Sequence, residues 1–276
     1  MRSEDRLNAA IESYYSQGLE EDRLGEGAFL LEGLRTRELI ERHVAAAPAR
    51  VLDIGGAAGA YALWLADKGY EVHLVDVTPR LVEEAERRSR AAVRGLASCR
   101  VGDARSLPFE DGVADVVLLL GPLYHLTDAQ DRRRALEEAA RVLRPGGLLF
   151  AAAISRWGSA LDGLARNLFA DADFCAIVQR DMQDGQHRNE TARLDYFTTA
   201  YFHRPEDLRG EVLECGLEMV GLFGIEGPGW MLPDIGERLR DARRREDLLR
   251  VARMLETEPS IVGASAHMFV VARKHV

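Results

Sequence analysis

A chain of 276 residues, 47% hydrophobic and 29% charged, is long enough to bury a core and fits one large domain. Its formal net charge of −9 offers no general attraction to phosphate backbones or anionic lipid, so neither a nucleic-acid nor a membrane partner is expected. The three cysteines, Cys99, Cys175 and Cys215, form no C-x-x-C pair, which argues against a disulfide framework or a zinc site and fits a reducing cytoplasm.

The opening stretch "MRSEDRLNAAIESYY" is charged and lacks the apolar core of a signal peptide, and no apolar run is long enough to span a bilayer. Residues 1–46 read as helical, with "RLNAAIESYY" and the amphipathic "FLLEGLRTRELIERHV" separated at Gly25 and Gly27. Strands then alternate with helices. "ARVLDI" is a strand that stops at glycines, "YALWLADKG" a helix ending at Gly69, and "EVHLVDV" a second strand. "TPRLVEEAERRSRAAV" is a helix with Thr78 as N-cap and Pro79 at its first position. "SCRVGD" and "VADVVLLL" are the third and fourth strands. The helix "TDAQDRRRALEEAARVL" opens with Thr127 and Gln130 spaced as a capping box. "RPGG" turns the chain into a fifth strand, "LLFAAAI".

After Ser155 the rhythm is interrupted by two helical runs and the extended "LDYFTTAYF". "PEDLRGEVLECG" restores a helix and "LEMVGLFGIEG" a sixth strand. A helical stretch over 233–257 precedes a last strand, "HMFVVAR". The arginine runs at 132–134 and 243–245 read as solvated helix faces. The expected organisation is one α/β domain with a mostly parallel sheet and helices on both faces. Residues 1–46 form a helical lid, 47–154 a ligand-binding core, 155–204 an insertion covering an acceptor, and 205–276 the rest of the sheet with a helical insert.

The chemistry concentrates where strands end. "VLDIGGAAG" is a strand–turn–helix junction whose glycines let backbone approach a ligand and whose helix start supplies unpaired N–H groups. The next strand ends in Asp76, 23 residues after Asp53, where a carboxylate can accept hydrogen bonds from ribose hydroxyls. The third ends at Asp103 and the fourth at "GPLYHL". Ligands of open α/β sheets bind outside these carboxyl ends. A dinucleotide fingerprint would need glycine at 55, 57 and 60, but positions 57 and 60 are alanines. Asp53 would moreover repel a pyrophosphate and suit an ammonium group, which favours a nucleoside bearing an amino acid over NAD.

"VLDIGGAAG", "EVHLVDV", "GDARSLPFEDGVADVVLLLGPLYHL" and "RVLRPGGLLF" together resemble the successive motifs of class I S-adenosylmethionine-dependent methyltransferases, closely over residues 45–155. The resemblance implies a Rossmann-like seven-stranded sheet with an antiparallel last strand. The family's acid-x-Gly-x-Gly-x-Gly motif maps to Asp53, Gly55, Ala57 and Gly59, with Ala57 departing from it. It further implies that Gly55, Gly56, Ala57 and Gly59 line the methionine part of S-adenosylmethionine and that Asp53 orients its amino group. Asp76, with Val77, would hold the ribose, and Asp103 with Ala104 would read the adenine amino group. Leu120 and Gly121 would offer backbone near the methionine part. An N-terminal lid helix would bring Tyr15 to the sulfonium by a cation–π contact and Tyr14 to the acceptor.

Methyl transfer needs an in-line nucleophile, exclusion of water and, for a hydroxyl or protonated nitrogen, a general base. His125 is the candidate base, kept neutral by the nearby helix N-terminus, with Tyr124 beside it. His187, Tyr196, Tyr201, His203 and Trp230 have the composition of a small acceptor pocket. No H-x-x-H, H-E-x-x-H or clustered carboxylate pattern occurs, so no metal is expected. The expected activity is methylation of O or N on a small-molecule acceptor, with S-adenosylhomocysteine as product. An RNA or protein methyltransferase, a non-catalytic cofactor-binding module and an NAD-dependent enzyme are the alternatives. The sequence carries no signal for oligomeric state.

Overall fold

The seven strand-like runs assemble into one sheet in a computed structural model, which describes residues 27–191 and 193–276. Helix α1 (Gly27–His43) precedes β1 (Arg50–Ile54), α2 (Ala60–Asp67), β2 (Glu71–Asp76), α3 (Pro79–Ala91), β3 (Ser98–Val101) and β4 (Ala114–Leu119). A single helical turn, α4 (Pro122–His125), leads to α5 (Ala129–Val142) and β5 (Leu143–Ile154). The following segment holds α6 (Gly158–Arg166), α7 (Ala172–Asp184) and a two-residue antiparallel pair, β6 (Gln186–His187) with β7 (Ala200–Tyr201). Then come α8 (Pro205–Glu214), β8 (Leu217–Gly224), α9 (Ile235–Arg240), α10 (Ala242–Leu255) and β9 (His267–Lys274).

Strand order is β3-β2-β1-β4-β5-β9-β8. The first five pair in parallel and β9 runs antiparallel to both β5 and β8. The chain winds outward from β1 to β3 and returns to β4, so the winding direction reverses between β1 and β4. Such a reversal leaves a crevice at the carboxyl ends, where ligands of this architecture bind.

Strand alternation divides the core between the two faces. Leu52 and Ile54 face Leu136 of α5 and Leu208 of α8, while Val51 faces Leu39 of α1 and Leu65 of α2. Asp53 shares the parity of Val51, so this buried carboxylate falls on the α2 side by the same rule that buries its apolar neighbours.

Three local expectations change. The N-cap of α5 is Asp128, whose Oδ1 accepts from the amides of Gln130 (2.7 Å) and Asp131 (3.4 Å); Thr127 and Gln130 do not form the box. A carboxylate adjacent to the first helical residue outcompetes the more distant hydroxyl for these donors. "RPGG" lies within β5, with Gly146 at φ +78° and a register irregularity opposite Ala114 and Val116. Arg132 is not solvated: it is 3% exposed, pairs with Glu211 at 2.7 Å and stacks 3.7 Å from the Tyr201 ring. Among the described residues no helix is long and apolar enough to cross a membrane.

Candidate active site

The glycine turn after β1 is built by close approach. The Gly55 amide donates to Val75 O at 2.7 Å, tying the turn to β2. Gly55 has φ +73°, and a Cβ there would lie 2.6 Å from Pro122 Cδ. The turn after β1 and the "GPLYHL" loop after β4 are therefore packed face to face, which only a residue without a side chain permits. Ala57 holds φ +46° in the same turn, a left-handed conformation that costs an L-residue roughly 1–2 kcal/mol. Ala57→Gly removes that strain against a smaller entropic cost. The variant is expected to gain about 0.5–1 kcal/mol in urea denaturation; an equal loss would show that the methyl group packs favourably.

Asp76 fixes this turn from β2. Its Oδ2 accepts from the Ala57 amide at 2.8 Å and its Oδ1 from the Thr78 amide at 2.9 Å. Burial nevertheless raises its pKa, with the two amides opposing. Asp53 is 2% exposed, and its Oδ2 has no hydrogen-bond partner. Burial, then the charge of Asp76, push its pKa up to about 7, with the Ala62 amide pulling the other way. A buried acid with an unanswered oxygen is complementary to an ammonium group, which supplies the missing charge and donor. Asp103 is in a different state. Burial opposes its ionisation, but Arg105 holds its pKa below the usual range by donating to both oxygens, the shortest contact being 2.6 Å.

These groups line one crevice of about 1250 Å³, part of it open to solvent. The walls from β1, β2 and β3 carry Asp53, Gly55, Gly56, Ala57, Asp76 and Val77, then Asp103 and Ala104. The β4 wall carries Leu120, Gly121, Tyr124 and His125. Gly59 lies outside this lining; at φ +86° it instead caps α2. His125 closes the short α4 rather than occupying an open loop. Its ring lies 4.7 Å from that of Tyr124 and stacks 6.3 Å from Phe197.

Helix α1 falls within the expected N-terminal cover, but the lining residues it supplies, Glu32 and Thr36, were not anticipated, nor were Ala152 of β5, Ile225 and His267. Glu32 falls on the buried face of α1, with Arg35, Thr36, Leu39 and Ile40 at helical spacing; a charge inside that apolar stripe was the available signal. Nothing in "HMFVVAR" distinguishes His267 from a residue opening any strand.

Five expected pocket residues are absent from this lining. His187 is 2% exposed, with Nδ1 2.8 Å from Asp181 and Nε2 2.8 Å from Tyr196 O. The Tyr196 hydroxyl donates to Asp171 at 2.8 Å. Tyr201 is covered by Arg132, and His203 is fully buried at 3.1 Å from Glu211, its pKa lowered mainly by burial. Trp230 Nε1 donates to Ala264 O at 3.0 Å. His187, Tyr196 and Trp230 answer their polar atoms within the fold, whereas His203 is paired through Nε2 alone and its buried Nδ1 has no partner. No residue of 155–204 lines it among the described residues. Tyr14 and Tyr15 lie outside the described residues.

A family model described as "Methyltransferase domain" matches residues 52–151. An O-methyltransferase from Aspergillus sclerotiorum is 32% identical over 208 residues, covering 74% of this chain and 72% of the relative. A ubiquinone/menaquinone biosynthesis C-methyltransferase from Acidiphilium cryptum is 29% identical over 197 residues, covering 66% and 74%. The solved structure of a SAM-dependent methyltransferase from Methanosarcina mazei superposes with a TM-score of 0.58 at 20% identity, over 86% of this chain and 97% of that one. Likeness of that extent, in sequence as well as fold, makes this protein an enzyme of the class I S-adenosylmethionine-dependent methyltransferase family.

Proposed function

We propose that the enzyme methylates O or N of a small-molecule acceptor. The observation that carries this reading is the charge of the crevice: among the described residues, four carboxylates line it and no Lys or Arg does. A phosphate backbone would meet repulsion there. The relative that is 32% identical is named an O-methyltransferase, which supports a hydroxyl acceptor. The family resemblance and the odd, unpaired cysteines also fit a cytoplasmic enzyme.

S-adenosylmethionine, when bound, supplies a methyl group activated by a sulfonium. In this reading Asp53 receives its ammonium group and Asp76 its ribose. Asp103, pinned by Arg105, offers its remaining lone pairs to the adenine amino group. The Gly55–Ala57 backbone and the Leu120–Gly121 backbone approach the methionine part from opposite sides. Helix α1 contributes Glu32 and Thr36 to the lining, which supports a covering role for the N-terminal region. Protic acceptors must also lose a proton, and the crevice presents two imidazoles, His125 and His267.

The test is S-adenosylhomocysteine release with fractionated small metabolites, total RNA and total protein offered separately. Release with a metabolite fraction is expected. Release with RNA or protein alone would overturn the acceptor class and leave the family assignment standing.

A further inference from the structure

Of the two imidazoles that line the crevice, His267 is held by a buried carboxylate. His267 opens β9 opposite Ile154 at the end of β5, on the side of the crevice away from β2 and β3. Its Nδ1 lies 2.6 Å from Glu226 Oε1. Glu226 is 3% exposed. Its Oε2 accepts from the Ser265 hydroxyl at 2.6 Å and from the His267 amide at 3.0 Å. Ser265 Oγ accepts in turn from the amides of Glu226 (2.9 Å) and Gly227 (3.2 Å), which fixes the direction of its own proton toward the carboxylate. Burial disfavours an ionised Glu226, but the charge of His267 and these hydrogen bonds outweigh it and hold the pKa below the usual range.

An ionised carboxylate only accepts, so Nδ1 must carry the proton that it shares with Glu226. Neutral His267 is then the Nδ1–H tautomer, with Nε2 as its basic nitrogen. A base oriented by a third, buried group is the arrangement that activates nucleophiles generally. The His125 ring lies against the rings of Tyr124 and Phe197. Glu32 on α1 lies 3.9 Å from the same Nδ1 and lines the crevice; among the described residues, Glu32 and Glu226 are two ionisable groups that face His267. The three side chains have ligand-type atoms within 4.8 Å of one another, but both Glu226 oxygens already accept hydrogen bonds, which describes a dyad more than an open metal cage.

We propose that His267 is the general base for methyl transfer, that Glu226 is its positioning residue, and that Glu32 restricts the acceptor to neutral or cationic molecules bearing an O–H or N–H group. This inference rests on the small-molecule reading above. In the step, the acceptor's oxygen or nitrogen forms its bond to the methyl carbon as the carbon–sulfur bond breaks. The bonding pair stays on sulfur, giving the neutral thioether. The acceptor's O–H or N–H bond breaks, and its proton goes to Nε2 of His267.

The test offers the full chain S-adenosylmethionine with three probes that share a ring and differ in charge: catechol, dopamine and 3,4-dihydroxybenzoate. Catechol and dopamine should be turned over, and the carboxylate-bearing probe at least about tenfold more slowly. His267→Ala is expected to lower kcat by about 100-fold with S-adenosylhomocysteine affinity kept, and added imidazole to restore part of it. His125→Ala should act mainly on KM. Glu226→Gln removes a negative charge that favours imidazolium, so the acid limb of its kcat/KM profile should move to lower pH. A His267→Ala enzyme with unchanged kcat, or activity lost to EDTA and restored by a divalent cation, would overturn the dyad, and preference for the carboxylate probe would overturn the role of Glu32. If no probe turns over, nitrogen NMR of the histidine rings decides: the Nδ1–H tautomer of His267 is required, and Nε2–H contradicts it. Failure of wild-type protein to bind S-adenosylhomocysteine would instead sink the reading on which the dyad rests.

Discussion

Asp53→Asn is expected to stabilise the ligand-free protein at pH 8 while weakening S-adenosylhomocysteine binding on the order of 100-fold. The two effects share one cause. The folded-state pKa of Asp53 is raised to about 7 from the ordinary 3.8 by burial and by Asp76. Between those values the folded protein binds more protons than the unfolded chain, so stability falls as pH rises from about 4 to about 7 and is flat above. A shift of about three units corresponds to a cost on the order of 4 kcal/mol at and above pH 7. Asparagine removes the charge but brings a buried amide to satisfy, which leaves a net gain of about 2 kcal/mol, or roughly 5 °C in Tm. At pH 4, where folded wild-type protein already holds Asp53 protonated, the gain should turn into a loss of about 2 kcal/mol from the buried amide. Equal stability of the two proteins at pH 4 and pH 8 would show that Asp53 is compensated without ligand.

Arg35→Ala should have the larger effect on folding, a loss of about 3–5 kcal/mol. Arg35 is fully buried on α1. It donates to Ile225 O beyond β8 at 3.2 Å, to Glu38 at 2.6 Å and to Glu256 after α10. Glu256 also receives Arg42 at 2.6 and 2.7 Å, and its backbone oxygen accepts from the Gly224 amide at 2.7 Å. Removing the guanidinium leaves Glu256 with one of its two arginine partners, Arg42, and the Ile225 carbonyl without its Arg35 donor. Glu32 and Thr36 lie within one turn of Arg35, so loosening α1 should also weaken S-adenosylhomocysteine binding. Arg35→Met combined with Glu256→Gln removes both charges and should recover part of the stability. A loss below about 1 kcal/mol for Arg35→Ala in urea denaturation would contradict this clamp.

The alternation of strands with helices and the glycine turn were legible because they follow from local pattern. Alternating strands and helices dictate parallel pairing, and Asp53 announces itself as a charge in an otherwise apolar strand. The partner of Gly55 was not legible: that Pro122 of "GPLYHL" blocks its side chain follows from the β1–β4 neighbourhood, which no local pattern encodes. The insertion misled for a related reason. Histidines and tyrosines that suit a pocket also suit a small interior core, and His187 with Asp181 and Tyr196 is of that kind. Type alone does not say whether the answering group is a ligand or another residue. The His267–Glu226 pair joins β9 to the segment after β8, so only the antiparallel register brings it together.

In the proposed reading Asp53 answers the ammonium group of the methyl donor. Calorimetric titration with S-adenosylhomocysteine at pH 7, repeated in buffers of different ionisation enthalpy, measures it through protons. About half of the Asp53 carboxyls carry a proton at that pH when ligand-free. Pairing with an ammonium group should expel it, giving a release of roughly half a proton per ligand bound that Asp53→Asn abolishes. Binding without proton release, or the same release from Asp53→Asn, would contradict the account.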